Sequence, residues 1–146
     1  MFAEVQFSQA RRDFSALYDT VYHGLKPALV RRRSEEVLLV REDLVKELLK
    51  DFVLKPEVLE EEDGSVTLAL DEMDLAVNGP TLEEALEELA QEIKLYCQDY
   101  LDRPQLFLNA PNRRPHFPYV LRVALCDSDE EIKALLELPC RQGSGS

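Results

Sequence analysis

The sequence is short of the residues that metal and thiol chemistry need. It has three cysteines, Cys97, Cys126 and Cys140, an odd number with no C-x-x-C pair. Such a scattered set fits reduced, structural thiols better than a disulfide framework. Only two histidines are present, His23 and His116, far apart in the chain. No Cys/His spacing therefore suggests zinc, and no local pattern pairs a cysteine with a histidine base. No metal, cofactor or catalytic residue is expected. No apolar run approaches the ~18–20 residues of a membrane helix. The first ten residues, "MFAEVQFSQA", lack a basic start and an apolar block, so no signal peptide is expected and the expected location is cytoplasmic, with no membrane partner. Glycine and proline are not in excess, and the composition is that of a foldable soluble chain with room for one ordinary domain or two small ones.

Charge is plentiful and unevenly placed. Residues 1–50 carry nine Lys and Arg against eight Asp and Glu, a net of +1. Residues 51–146 carry eight against 21, a net of −13, and the two parts together make the −12 of the whole chain. A split this sharp points to two parts with two different partners. Against the acidic total, the stretch "PALVRRRSEEVLLVRED" sets three consecutive arginines, Arg31, Arg32 and Arg33, between two apolar runs.

The first fifty residues read as strand, helix, strand, strand, helix. "EVQFS" alternates and predicts a strand from Val5 to Phe7. Ser8 is placed to cap a helix whose apolar face is Phe14, Leu17, Tyr18 and Val21. Gly24 is placed as its C-cap, just before Pro27. "ALV" and "VLLV" predict two strands joined by "RRRSEE", and "REDLVKELLKDF" restarts a helical period.

These residues resemble the Phd/YefM family of antitoxins. The resemblance rests on "FSQARRDFSALYDTV" followed by "PALVRRRSEEVLLVREDLVKELL", and it covers residues 3–50. The chain departs from the family pattern at the hairpin, where Arg33-Ser34-Glu35 stands in place of a Gly or Asn, and at the last helix, which opens without a Ser cap. The resemblance implies a dimer, or a tetramer if dimers pair, that binds palindromic operator DNA. By position it implies DNA contacts from Ser8 and Arg11 at the first helix and from Arg32 beside the hairpin, with Arg12, Arg31 and Arg33 in the same zone. The chemistry agrees: guanidinium groups bind phosphate bidentately and read guanine, and a helix start offers N–H groups to phosphate. Strand alternation places Arg31 and Arg33 on one face and Arg32 on the other. The plainer alternative is a solvated hairpin tip with its arginines paired to Glu35 and Glu36.

From residue 51 the pattern changes. Phe52–Leu59, "SVTLAL" and "DLAVN" predict three strands, with a turn at Asp63-Gly64. Gly79-Pro80 breaks the chain, Thr81 caps a helix, and Glu84 completes a capping box. The helix face is Leu82, Leu86, Leu89, Ile93, Tyr96 and Tyr100. The run Gly79-Pro80-Thr81-Leu82-Glu83-Glu84-Ala85 resembles the helix opening of HicB-like antitoxins, a resemblance covering roughly residues 52–100. That fold is in turn a partial relative of ribonuclease H, which makes Asp71, Glu72 and Asp74 a candidate carboxylate cluster. Their place at strand ends and a turn favours simple solvation over metal-assisted catalysis.

Beyond residue 102 a proline-rich connector holds a small basic spot, Arg113, Arg114 and His116, expected to pair with the acidic part. "FPYVLRVALC" is a helix or a buried strand, and a last helix starts near Asp127 or Ser128. The expected fold is α+β: residues 1–50 a β-α-β-β-α dimerisation and DNA-binding domain, 51–102 a β-β-β-α domain, and 103–146 a connector and helical extension ending in an unstructured "GSGS". The expected function is that of an antitoxin, not an enzyme, that represses its own operator and neutralises a basic toxin through the acidic half. A stand-alone repressor or a ligand-responsive binding module is the alternative.

Overall fold

The computed structural model of the chain describes residues 1–139; Cys140 and the "GSGS" end lie outside them. The fold is mixed α+β, with two three-stranded sheets and seven α-helices among the described residues. The chain divides into two compact units, Met1–Leu48 and the residues from Leu49 on.

The first unit opens with β1 (Ala3–Gln6), one residue earlier than the alternation predicts at its end. Two helices follow where the sequence predicts one: α1 (Phe7–Arg12) and α2 (Phe14–Tyr22). Ser8 is not the cap. Gln6 occupies that position without a side-chain bond, and Ser8 lies inside the first turn. The break falls at Asp13 (φ −140°, ψ 71°), whose Oδ1 accepts from Ala16 N at 3.1 Å and starts α2. An Asp side chain offers the backbone this alternative to helix continuation. Gly24 is likewise not a left-handed cap, since the positive φ belongs to Leu25. A Cβ on Gly24 would lie 2.5 Å from Thr20 O, so close approach rather than backbone freedom calls for glycine there.

β2 (Ala28–Arg32) runs parallel to β1 and antiparallel to β3 (Glu35–Leu39), giving the order β1-β2-β3. Helix α3 (Glu42–Leu49) completes the unit with acidic residues in its first turn, where they complement the helix dipole. The buried core is small: Ala10, Leu17, Val21 and Ala28, with Val5, Val30 and Leu39 packed beside it.

The second unit is an antiparallel meander, β4 (Glu57–Glu60), β5 (Val66–Leu70) and β6 (Leu75–Gly79), crossed by the long helix α4 (Leu82–Asp102). The strand expected over Phe52–Leu59 forms only from Glu57. Pro56 precedes it, fully buried, and a proline has no N–H to give a ladder. Leu54 instead makes a single parallel bridge to Leu136, and Arg122 Nη1 donates to Phe52 O at 2.7 Å. The burial pattern of β5 alternates strictly, and Val66, Leu68 and Leu70 face the core.

Helix α4 starts as read from the sequence, with Thr81 Oγ1 accepting from Glu84 N at 3.2 Å. Ala85, Leu89, Ile93, Cys97 and Tyr100 are its buried ridge, while Leu82, Leu86 and Tyr96 are half-buried. Three further helices pack into the same core: α5 (Pro104–Leu108), α6 (Phe117–Ala124) and α7 (Asp129–Ala134). The segment "FPYVLRVALC" is thus helical. Ser128 caps α7 by accepting from Glu131 N at 3.2 Å, and Glu131 reaches back to Asp127 N at 2.8 Å. Lys94 and Lys133 tie α7 to α4 through Asp129 and Glu87.

Gly79 sets the approach of α4 to the sheet. A Cβ built there would meet Ala85 N at 2.8 Å and Ala85 Cα at 3.0 Å. The Gly-to-Ala spacing of that motif therefore has a packing cause: strand end and helix start touch backbone to backbone. Gly79→Ala is expected to destabilise the second unit by about 1–3 kcal/mol, read as a lower denaturation midpoint. Gly64→Ala, where nothing lies within 4 Å but φ is +86°, is expected to cost only about 1 kcal/mol.

Candidate functional site

The hairpin between β2 and β3 places the three arginines in three different settings. Arg31 lies on the sheet face away from α1 and α2, opposite Glu36 in register. Its Nη2 stands 2.8 Å from Glu36 Oε1 and 3.2 Å from Glu4 Oε1, so it spans all three strands. Both partners are half-exposed, and such a cross-strand pair is worth about 0.2–1 kcal/mol. Arg32 faces the other way, with its guanidinium carbon 4.8 Å from the centroid of the Phe7 ring. Arg33 is not a strand residue and does not share the face of Arg31. It occupies the turn at φ +57°, a conformation that Gly and Asn adopt more readily.

The remaining sequence-predicted residues gather near the start of the chain. Helix α1 is only six residues long, which puts Arg11 and Arg12 in its last turn rather than at a helix start. There they complement the negative end of the helix dipole. Arg11 lines an apolar groove of about 450 Å³ together with Phe7, Ala10, Phe14, Leu17, Val30, Val37 and Leu39. Among the described residues, Arg11, Arg12, Arg32 and Arg33 have no carboxylate partner, whereas Arg31 has two. The structure brings Arg11 and Arg32 together around Phe7 and leaves Arg31 on the opposite face.

A second groove of about 370 Å³ shares Phe14 and Leu39 and continues along Tyr18, Val21 and Tyr22. Tyr18 and Tyr22 stack at 5.8 Å, and Arg41 sits 4.7 Å over Tyr22 while donating to its carbonyl. Phe7, Phe14, Tyr18, Tyr22 and Val37 are all exposed. The sequence places Phe14 and Tyr18 on the apolar face of the helix with Leu17 and Val21, and of these four only Leu17 and Val21 are buried. Their 3.6-residue spacing marks an apolar face but not what covers it.

In the second unit the carboxylates at the β5–β6 turn diverge. Glu72 Oε1 accepts from Lys55 N at 3.4 Å, Asp74 points to Arg113 at 3.9 Å, and Asp71 borders a separate shallow pocket. Among the described residues no group of three or more His, Cys, Asp or Glu is placed to hold a metal ion. Burial pushes the Cys97 thiol up to about 12, the reverse of what a nucleophile needs.

Of the basic spot, Arg114 is exposed and donates to Leu108 O at 3.1 Å, while Arg113 and His116 turn inward. His116 is buried, and its Nδ1 lies 2.7 Å from Tyr96 Oη. Arg113 Nη1 donates to the same phenol oxygen at 3.4 Å, and Tyr100 Oη donates to Arg113 O at 2.9 Å. Phe107 stacks on Tyr100 at 4.8 Å. The Tyr96 hydroxyl and His116 Nδ1 share one hydrogen bond, whose direction follows the histidine tautomer. Sequence spacing gave no sign of this set, because its members meet only through the turn that returns the chain to α4.

The grooves, the unpaired arginines and the acidic second unit make this a protein built around binding surfaces. Its class follows from two likenesses. A family model described as PHD_like, the antitoxin of RelE/RelB-type toxin–antitoxin (TA) systems, matches residues 1–138. The chain belongs to this antitoxin family, a family of regulatory proteins and not of enzymes. The match extends through both units, beyond the residues that carried the Phd/YefM resemblance. A solved structure from Syntrophomonas wolfei subsp. wolfei, described as the antitoxin part of a proposed toxin–antitoxin system, is similar at 34% identity with a TM-score of 0.86, over 94% of this chain and 99% of that one. No curated protein matches.

Burial, then the Arg113 charge, lower the His116 pKa, against a smaller opposing effect of Asp74. A lowered folded-state pKa means that the unfolded chain binds the proton first. The stabilisation is complete above the unfolded value of about 6.5 and is lost as pH falls toward the lower folded value. The melting temperature of the second unit is expected to drop between about pH 7 and pH 5, and His116→Gln is expected to flatten that drop. An equal drop in both proteins would contradict the network.

Proposed function

We propose that this antitoxin is a dimeric operator-binding repressor of its own synthesis, and that its acidic second part engages a basic toxin. The observation that carries the first half is the set of four arginines without carboxylate partners among the described residues, of which Arg11 lines the largely apolar groove and Arg32 sits over Phe7 at its edge. Arginines that only stabilised the hairpin would be answered by Glu35 and Glu36, and of the hairpin three Arg31 alone is answered by either. In this reading Ser8, Arg11, Arg12, Arg32 and Arg33 form the DNA-contact set, and Arg31 shapes the hairpin they stand on. Guanidinium groups left unpaired keep their five donors for phosphate or for guanine.

The groove supports the dimer. It is lined by apolar carbon alone apart from the stem of Arg11, and exposed apolar patches of this kind mark interaction sites. Residues 1–50 are then the Phd/YefM-like DNA-binding and dimerisation domain, 51–102 a HicB-like domain, and 103–146 its extension. The β-β-β-α order and the Gly79–Ala85 packing support the middle assignment. Support for a toxin partner comes from family membership, and support for its basic character from the −13 balance of residues 51–146, which would steer a cationic protein toward this part of the chain. This second part has its own extensive core, so it presents a surface that is already folded.

The test is binding to a duplex from upstream of the chain's own gene, across a salt series and beside a scrambled duplex. Each phosphate neutralised adds about −0.9 to the slope of log K against log salt. Arg33→Gly is expected to make that slope shallower by about 0.9 while stabilising the fold by about 0.5–1 kcal/mol, since glycine accepts the positive φ. Equal affinity for both duplexes, or an unchanged slope in the variant, would contradict this reading.

A further inference from the structure

This inference rests on the operator-binding reading and divides the labour among its arginines: we infer that Phe7 is a positioning residue, holding Arg32 in the pose that meets DNA, while Arg31 is held out of contact by its two carboxylates. Three adjacent arginines look equivalent in sequence, but their surroundings are not. Arg31 shares its terminal nitrogen between Glu4 and Glu36, so the trio carries a net negative charge. A phosphate approaching that face meets two carboxylates for one guanidinium.

Arg32 lies on the other face with its guanidinium over the Phe7 ring. Glu35 stands opposite Arg32 in register but makes no ion pair with it, and the ring face attracts the cation without taking up its donors. The N–H groups at the guanidinium edge stay available for a bidentate contact. Holding the long side chain in one place before binding also removes part of the rotamer entropy that binding would otherwise cost. Phe7 is suited to this by its position. It is the first residue of α1, directly follows β1 and precedes Ser8, and it lines the groove that Arg11 also lines. One ring therefore fixes Arg32 within the same zone as the other proposed contacts.

The experiment uses the full chain with Phe7→Leu, Phe7→Tyr, Arg32→Ala, the Phe7→Leu/Arg32→Ala double variant and Arg31→Ala. Three readouts are taken: the NMR shifts of the Arg32 side chain without DNA, affinity for the upstream and scrambled duplexes across a salt series, and the melting temperature. Sedimentation shows that the variants keep the oligomeric state of the parent at the concentrations used. Phe7→Leu keeps the apolar volume and removes the ring. It is expected to abolish the upfield ring-current shift of Arg32 and to weaken upstream-duplex binding roughly three- to tenfold, with little added in the double variant. Phe7→Tyr is expected to restore both. Arg31→Ala is expected to lower the melting temperature and leave the salt slope unchanged.

Additive effects of Phe7→Leu and Arg32→Ala would overturn the inference, because Phe7 would then act through the groove. Loss of the shift with unchanged duplex binding would overturn it too, while leaving operator binding intact. A shallower salt slope in Arg31→Ala would return that arginine to the contact set. A parent protein that does not distinguish the two duplexes would instead remove the operator-binding reading itself, whatever the Arg32 shifts show.

Discussion

The constraint on which the rest depends is the small core of the first unit. Its buried apolar side chains are Ala10, Leu17, Val21 and Ala28, two of them alanines. Burying a full Leu or Val side chain stabilises by about 1.5–3 kcal/mol, and fixing each backbone residue costs about 1–2 kcal/mol. A chain segment of under fifty residues with so little buried surface falls below the size at which domains commonly hold themselves together. The same segment exposes Phe7, Phe14, Tyr18, Tyr22, Val37 and Leu38. Missing core and surplus surface are one fact seen from two sides: the apolar residues exist, but the described residues do not cover them. In the dimer proposed above, a second copy supplying the same face covers them.

The second unit obeys the opposite logic. Leu68, Leu70, Met73, Leu89, Ile93, Tyr100 and Val120 are fully buried, and the tight Gly79–Ala85 approach lets α4 lie close against the meander. Its ion pairs run along α4 and α7 at the surface, where each contributes little to stability. Under the proposed function, the first unit sets the oligomeric state and the second sets partner binding.

Much of this was legible in the sequence where a residue acts locally. Thr81, Ser128, the Asp63-Gly64 turn and the alternation of Val66–Leu70 each fix structure within a few positions, and each appears where the sequence puts it. The errors came where a side chain competes with its neighbours. Asp13 breaks the first helix by capping the second, and Pro56 delays the strand. Leu25 rather than Gly24 takes the left-handed conformation. The candidate site was legible as a set of arginines but not as an arrangement. Strand alternation separates Arg31 from Arg32, but no spacing rule shows that Glu4, from the first strand, returns to neutralise Arg31, or that Phe7 lies under Arg32. The Tyr96–His116–Arg113 set was missed for the same reason, since its members come from separate elements.

The most direct test of this account is amide hydrogen exchange of the full chain over a wide range of protein concentration. If the first unit is held by a second copy, peptides from residues 1–48 gain protection as concentration rises, by about 0.7 kcal/mol of stability per tenfold step, because the free-protomer fraction falls as the square root of concentration. Peptides from the second unit are predicted to keep constant protection. Strong protection of residues 1–48 that does not change with dilution would mean the first unit stands alone, and the covered groove, the dimer and the operator geometry built on it would fall together.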